Sequence, residues 1–214
     1  MLITIMCLVQ MLQIFKMKPF TKKELKIIIP VLTFIFILGF FNFRLSLLRS
    51  RDHQRKRDVG EIVSALGVYR EEFGFYPPSS DGKIVACKRT EITDFSIDKS
   101  LNLEENLLRV FKGCEWGEDS LADVSEEESV PYLKTIPSDS DKDKGASYLY
   151  ISDVSYFQLF AHLENEDDVQ YKKEVEKRNL ICGMRICNFG KTLDNTPLEI
   201  SLEDYQKQLM EKGL

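Results

Sequence analysis

The sequence predicts an α+β fold in which one long N-terminal helix packs on a small antiparallel sheet. Three observations lead to this expectation. No charged residue occurs from Ile27 to Phe43, the following segment repeats apolar residues at helical spacing, and a later segment alternates apolar and polar residues as a β-hairpin does. The 214 residues allow one membrane anchor and one head of ordinary domain size.

The first half of the long helix, residues 20–48, is predicted to cross a membrane. Its apolar run resumes after Arg44 and continues to Leu48. At a rise of about 1.5 Å per residue, roughly 20 apolar residues cross the ~30 Å hydrocarbon core of a bilayer. Residues 1–19 hold a shorter apolar stretch, which is interpreted as a leader or as an extension upstream of a true start at Met17.

The second half of the helix, residues 49–76, is predicted to be amphipathic. Gly74 is a C-terminal stop signal, and Pro77 forbids continuation. Something downstream must therefore cover the apolar stripe of this half. The stripe consists of Val59, Ile62, Val63, Leu66, Tyr69 and Phe73.

Charge is unevenly distributed along the chain. Through Arg57 there are 11 basic and 2 acidic residues, a charge of +9; because the whole chain carries −5, the remainder carries −14. The basic residues flank the membrane segment on both sides, so they are expected to meet lipid head groups rather than nucleic acid, and their balance does not orient the segment. The charged run from Arg49 to Asp58 is expected to be solvated.

Residues 77–214 are predicted to form the α+β head. A helix is expected over residues 102–112, because Asn102 and Glu105 have capping-box spacing, and another over 201–212. Residues 147–152 and 156–163 are expected to pair as an antiparallel hairpin with one face on the helix. Residues 115–130 are expected to form an exposed loop, in which Trp116 either anchors the loop or meets a partner.

Two kinds of side chain are candidate sites in the head. Its four cysteines, Cys87, Cys114, Cys182 and Cys187, suggest two disulfides, with Cys182–Cys187 and Cys87–Cys114 as one possible pairing; free thiols and a metal site are the alternatives. Three alternating carboxylates, Asp139, Asp141 and Asp143, have the spacing of a calcium loop, but Lys144 occupies the position where that loop needs Gly. A solvated turn is the expectation there, and calcium is the only cofactor considered.

Enzymatic chemistry is not expected. The sequence has no Gly-rich phosphate loop, no H-E-x-x-H and no G-x-S-x-G, and its two His residues are too few for most acid–base or zinc sites. Its acidic residues cluster in polar stretches, which is typical of solvated surface.

The N-terminal third resembles a type IV pilin, and in particular the bacterial type II secretion pseudopilins. The features that carry the resemblance are a short basic leader, Phe20-Thr21, Glu24 four residues after the Phe, the apolar run, the R-x-R-D-x-x-R-K-x-D segment and the aromatic-Pro end of the helix. The similarity is weaker in the head, where YLYISDVSYFQLFAHLEN resembles the final strand pair of such heads.

The resemblance implies a pilus or pseudopilus subunit held in the cytoplasmic membrane by one span, with its head outside the cytoplasm and on the filament surface after assembly. It implies cleavage between Pro19 and Phe20, methylation of the new N-terminus, and a role for Glu24 in pairing with a neighbour's N-terminal amine. The implied partners are other pilin subunits, which meet through this helix, the membrane, and an assembly platform.

Four residues depart from the family pattern. The family's leader ends in Gly where this chain has Pro19, Lys22 and Lys23 stand where apolar residues are usual, and Pro30 interrupts the apolar run early. The alternative is an unprocessed pilin-like head that stays on its anchor as a binding or adhesion module.

Overall fold

The computed structural model describes residues 22–89, 98–122 and 130–213. Its longest element is helix α1, Lys22–Phe73, of 52 residues. Internal contacts divide the chain into two units, Met1–Leu47 and Leu48–Leu214. Helix α1 contributes its first part to the first unit and its remainder to the second, and each unit is described by itself.

In the first unit, α1 presents apolar side chains to its surroundings on all sides. Phe36 is 73 % exposed and Phe34 is 62 % exposed. Pro30 lies inside the helix, and the Thr33 hydroxyl donates to the Ile29 carbonyl at 2.8 Å. Within the described part of the chain, α1 is the one helix that by length and composition could span a membrane, with a mean hydropathy of 2.0 in its apolar window.

The second unit is built from short elements around the rest of α1. Its strands are β1 (Ser79–Ser80), β2 (Lys83–Arg89), β3 (Phe111–Gly113), β4 (Leu149–Ser152), β5 (Phe157–Ala161), β6 (Ile181–Cys182), β7 (Arg185–Ile186) and β8 (Phe189–Lys191). Its other helices are α2 (Leu103–Val110), α3 (Lys173–Glu176) and α4 (Leu202–Glu211), with a 3-10 turn at Lys142–Lys144.

Every strand pair among these elements is antiparallel. Strands β1, β2 and β3 form one sheet in that order, β4, β5 and β8 form a second, and β6 pairs with β7 alone. In the second sheet Tyr150 lies opposite Leu159, and Phe160 lies opposite Gly190. The hairpin expected from the alternating sequence is therefore confirmed, with β4 and β5 as its arms.

The apolar stripe of α1 covers the second sheet. Ile62 and Leu66 are fully buried and belong to the same core as Tyr150, Phe157 and Leu159. This arrangement explains why the amphipathic half of the helix needs no other cover on that face. An α+β layout with a long apolar N-terminal helix and small antiparallel sheets is thus what the chain adopts.

The hairpin is also buried on the face that does not pack on α1. All five residues of β5 are buried. The face that carries Phe160 packs in a second core with Val175 of α3, Cys182 and Leu198. The chain after residue 170 supplies this layer through a few apolar residues.

Two helices follow their capping signals, and one boundary differs from its prediction. The Asn102 side chain accepts from the Glu105 amide while the Glu105 carboxylate accepts from the Asn102 amide, so the capping box is present. The Ser201 side chain likewise accepts from the Asp204 amide at the start of α4. Helix α2 ends two residues earlier than expected, because Phe111 is extended and pairs with β2.

The segment after Cys114 is only partly the exposed loop that was expected. Trp116 is 6 % exposed and its ring stacks edge-on against Tyr148, at 5.9 Å between centroids. Leu121 is fully buried and pairs with Leu133 through a β-bridge. Trp116 therefore anchors this part of the chain; residues 123–129 lie outside the described residues.

The structure contains disulfides between Cys87 and Cys114 and between Cys182 and Cys187. This is the pairing that the sequence suggested. The first links β2 to the residue that follows β3, and the second closes the β6–β7 hairpin. Partners 27 residues apart constrain the unfolded chain more than partners 5 residues apart.

Removal of the two disulfides is therefore expected to cost different amounts. From loop length, the double change of Cys87 and Cys114 to Ala should lower the free energy of unfolding by about 3.5 kcal/mol, and that of Cys182 and Cys187 by about 2 kcal/mol. Urea denaturation of the full chain in detergent micelles, followed by the fluorescence of its single tryptophan, measures both. An equal or larger loss for the shorter loop would contradict this account.

Candidate functional site

One face of the charged run at the start of the second unit is buried, which corrects in part the expectation that the run is solvated; Arg49, His53 and Arg57 are exposed as expected. Asp52 is 1 % exposed, Arg55 is fully buried and Asp58 is 5 % exposed. Charged groups are costly to remove from water unless they are paired and hydrogen-bonded. The head must therefore supply partners, and it does so from three loops.

Arg55 lies at the centre of these contacts, and all five of its N–H donors are engaged. Nε and Nη2 donate to the two carboxylate oxygens of Asp139 at 2.8 and 3.0 Å. Nη2 also donates to Asp141 at 3.0 Å, while Nη1 donates to Asp52 at 3.0 Å and to Glu164 at 2.7 Å. A guanidinium has five donors in a fixed fork, so this site leaves none unsatisfied.

A second arginine shares one of these carboxylates. Arg51 Nε and Nη2 donate to the two oxygens of Glu164 at 2.7 and 2.6 Å, which is a bidentate pair. Asp52, one residue along, accepts from the backbone amides of Glu164 and Asn165, each at 2.9 Å. One turn of α1 therefore binds the segment after β5 in two ways. Arg51 pairs with the side chain of Glu164, and Asp52 accepts hydrogen bonds from the backbone of Glu164 and Asn165.

Asp141 brings two more cations to the cluster. Its Oδ1 accepts from Lys144 Nζ at 2.8 Å, and its Oδ2 lies 3.6 Å from Arg185 Nη2 and 3.6 Å from Arg51 Nε. We refer to the eight paired groups as the Arg55 network: four cations and four carboxylates, so its formal charges balance. Its members are Arg51, Asp52, Arg55, Asp139, Asp141, Lys144, Glu164 and Arg185.

Two carboxylates of the network, those of Asp141 and Glu164, are held in their charged forms. The hydrogen bond from Lys144 outweighs the effect of burial and lowers the pKa of Asp141 to about 2. The hydrogen bond from Arg51, followed by that from Arg55, lowers the pKa of Glu164. Both groups therefore remain anions throughout the neutral range.

A further buried carboxylate lies one turn along the helix. The Tyr148 hydroxyl donates to Asp58 Oδ2 at 2.8 Å. Burial, together with the negative charge of Asp58, raises the pKa of Tyr148, so this phenol stays protonated and keeps donating. The pair connects α1 to the strand side of the head beside Trp116.

The spacing of residues in the sequence contains a signal for the Arg55 network that the prediction of a solvated segment did not take into account. Asp52 and Arg55 continue the spacing of three and four residues that Val59, Ile62 and Leu66 follow. A charged residue that occupies the apolar face of a helix either ends the buried face or finds a buried partner. Apart from Asp52, the partners of Arg55 lie 84 residues or more further along the chain, in loops that have no periodicity.

The three calcium candidates do not lie together as a ligand set. Asp139 and Asp141 turn their carboxylates to Arg55, while Asp143 is exposed. Their loop is therefore not the solvated turn that was expected, because two of its three carboxylates are buried. No group of three or more His, Cys, Asp or Glu that could hold a metal occurs among residues 22–89, 98–122 and 130–213.

The predicted processing residues Pro19 and Phe20 lie outside the described residues. Glu24, the predicted assembly residue, lies within the span of helix α1. The structure thus gives a helical setting for position 24 and leaves its pairing role a prediction.

Comparison with known proteins identifies no relative: no family model, no curated protein and no solved structure matches the chain. Any function must therefore be argued from the residues and the geometry.

Replacing Arg55 by Met is expected to destabilise the head by about 3–5 kcal/mol, because it leaves Asp52 and Asp139 buried without a counter-charge. Arg57→Met is the matched control, since Arg57 is exposed on the same helix two residues later and should change stability by less than about 0.5 kcal/mol. Urea denaturation of the full chain in detergent micelles measures both. Equal effects would show that the network does not hold the head together.

The free energy of unfolding is also expected to fall as pH decreases from about 5 to about 2. The pKa values of Asp141 and Glu164 are lower in the folded state than in the unfolded chain, so their stabilisation is complete above their unfolded values and is lost as they protonate. Asp141 alone should account for about 2 kcal/mol of this loss. Asp141→Asn should flatten the dependence, whereas Asn at the exposed Asp143 should leave it unchanged; identical profiles for both variants would contradict the assignment.

Proposed function

We propose that this protein is a structural subunit of a type IV pilus or of a type II secretion-like pseudopilus. It would wait in the cytoplasmic membrane on its N-terminal helix, with the head outside, and assemble with other subunits through that helix. The proposal assigns it no catalysis and no interaction with nucleic acid, and it extends the resemblance of the N-terminal third to the whole chain.

The observation that carries the proposal is that the two parts of α1 have different surfaces. Its first part presents large apolar side chains in every direction, and its second part buries one stripe under an antiparallel sheet. A subunit that exchanges lipid for neighbouring helices needs the first property, and a subunit that carries a folded head needs the second. Both occur in one element of 52 residues.

Two further features support an extracytoplasmic, load-bearing head. Disulfides at Cys87–Cys114 and Cys182–Cys187 are typical of oxidising compartments. The Arg55 network ties α1 to the loops around residues 139 and 164, and Arg185 of β7 joins it through Asp141 and Glu164. When an assembly platform draws the helix out of the membrane, these charge-assisted bonds would make the head follow as one body.

The mechanism of assembly follows from the charges at the N-terminus. Cleavage after Pro19 would leave the amine of Phe20 as a new cation. A carboxylate that enters an apolar helical bundle needs such a partner, and Glu24 would supply the carboxylate to the amine of a neighbouring subunit. Lys22 and Lys23 would then lie at the membrane interface until the subunit is extracted.

The alternative is a pilin-like head that is never processed and serves as a membrane-anchored binding or adhesion module. The specific observation in its favour is Pro19, because Pro replaces the Gly that ends the leader in the family that the chain resembles. In that case no free amine exists at Phe20, and Glu24 is an interfacial carboxylate.

The N-terminal sequence and intact mass of the protein from its native membrane separate the two functions. The subunit proposal expects a chain that starts at Phe20, N-methylated, and cross-links between neighbouring copies that decrease strongly in Glu24→Ala. Glu71→Ala is the matched control, since Glu71 is an exposed carboxylate further along the same helix. A chain that starts at Met1 or Met17 would overturn the subunit proposal and favour the anchored module.

A further inference from the structure

Helix α2 presents an apolar face to its surroundings. Leu103 is 51 % exposed, Leu108 is 37 % exposed and Leu107 is half-buried, and none of the three belongs to either apolar core of the head. At about 100° per residue, these leucines and Glu104 fall within about 140° of the helix circumference, so they share one face. We refer to Leu103, Glu104, Leu107 and Leu108 as the α2 face. An exposed apolar face of this kind is typical of an interaction surface.

Glu104 adds a negative charge without a partner to this face. Among the described residues, no hydrogen bond or ion pair engages its carboxylate. Burial raises the pKa of Glu104, and the negative charges of Asp153 and Glu105 raise that pKa further. A cation from another molecule would therefore be favourable beside Glu104, so the α2 face matches a partner that is both apolar and basic.

A groove on the second part of α1 has the opposite shape. It has a volume of about 550 Å³ and lies between α1 and the segment that carries Tyr132 and Leu133. On α1 it is lined by small side chains and by one exposed valine, which allow the side chains of a second helix to approach closely. These residues are Gly60, Ser64, Ala65 and Val68, of which Val68 is 48 % exposed.

The groove also has the opposite charge. Arg57 and Lys191 both line it, and within the described part of the chain no ion pair joins either of them to a carboxylate. A Cβ at Gly60 would lie 3.2 Å from Lys191 Nζ, so the ammonium group lies over α1 beside the groove. Glu61 is the carboxylate that lines the same groove, and the two cations outnumber it.

We propose that the α2 face of one copy docks in the α1 groove of a second copy, with its leucines against Ser64 and Val68 and Glu104 paired with Lys191. Because the two surfaces are different, the contact is heterologous: each copy offers its α2 face to one neighbour and its groove to another. Heterologous contacts generate filaments when the rotation between copies does not close a ring. This inference rests on the proposed function, to which it adds a contact between heads.

The experiment traps this contact as a disulfide between copies of the full chain in detergent micelles. The test protein carries Ser64→Cys in the groove and Leu103→Cys on the α2 face, with Cys7 changed to Ser. Two further proteins carry only one of the two new cysteines. Mild oxidation is followed by non-reducing electrophoresis, and the fluorescence of the single tryptophan verifies that each head is folded.

The proposal expects a ladder of dimers, trimers and longer species from the protein with both new cysteines. It expects dimers alone from an equal mixture of the two proteins with one new cysteine, and no more than traces of dimer from either by itself. Absence of the ladder would overturn the proposal. A strong dimer from one of these proteins by itself would also overturn it, because the contact would then be symmetric.

Charge reversal tests the ion pair within this contact. In the protein with both new cysteines, Lys191→Glu or Glu104→Lys should reduce the ladder several-fold, and the two changes together should restore it. Lys177→Glu and Glu174→Lys are the matched controls, since both residues are exposed at α3, and they should leave the ladder unchanged. Equal losses in the test and control variants, or no recovery in the double reversal, would contradict the pairing.

The proposed function fails on a different result. A chain that starts at Phe20 and cross-links through α1, but forms no ladder, would overturn the contact between heads and leave the subunit proposal standing. A ladder from a chain that starts at Met1 or Met17 would support the contact and overturn the subunit proposal.

Discussion

The structure of the head depends on the burial of one guanidinium group. Arg55 is removed from water completely, and the cost of that removal is offset only because every one of its donors meets a carboxylate. This requirement determines more than the position of one side chain: the loops that carry Asp139 and Asp141 and the chain that follows β5 at Glu164 must converge on the same turn of α1. A hydrophobic contact would tolerate shifts of these loops, but a fork of directed hydrogen bonds does not.

Both the Arg55 network and the apolar core join α1 to the rest of the head, and their contributions differ. Ile62 and Leu66 supply burial, which is favourable but not directional, while Arg55 fixes the rotation and the axial position of α1 against the loops. The hydrogen bond between Tyr148 and Asp58 lies between the two regions. Within the second unit the helix is therefore joined to the head by both kinds of contact, as the proposed role of a subunit drawn by its helix would require.

Much of this fold could be predicted from local patterns. The stripe from Val59 to Phe73, the capping box at Asn102 and the alternation in β4 and β5 each follow from spacing alone. The second covered face of β5 could not, because its cover comes from scattered residues such as Val175 and Leu198 in a charged segment that has no periodicity.

The Arg55 network was harder to predict from the sequence than the fold, because it too depends on residues that are far apart in the chain. The carboxylates at residues 139 and 141 looked like solvated groups or calcium ligands, since nothing in their own loop reveals an arginine 84 or 86 residues earlier in the chain. Only the position of Arg55 on the buried stripe pointed to a partner. The roles proposed for Glu24 and for the Pro19–Phe20 bond differ again, because they would depend on a peptidase and on neighbouring subunits, which no intramolecular contact encodes.

The separation of these partners along the chain also has a consequence for biogenesis. Arg55 is translated early, but three of its four carboxylate partners follow 84, 86 and 109 residues later, and Arg185 later still. Contacts between such distant residues form late, because the intervening chain must first be delivered and closed into loops. A head outside the cytoplasm could therefore lock onto its helix only after most of the chain had been exported. In the proposed topology, interrupted translocation would leave an anchored helix on which Arg55 keeps only Asp52 as a partner, so export would be completed in the same step as the head.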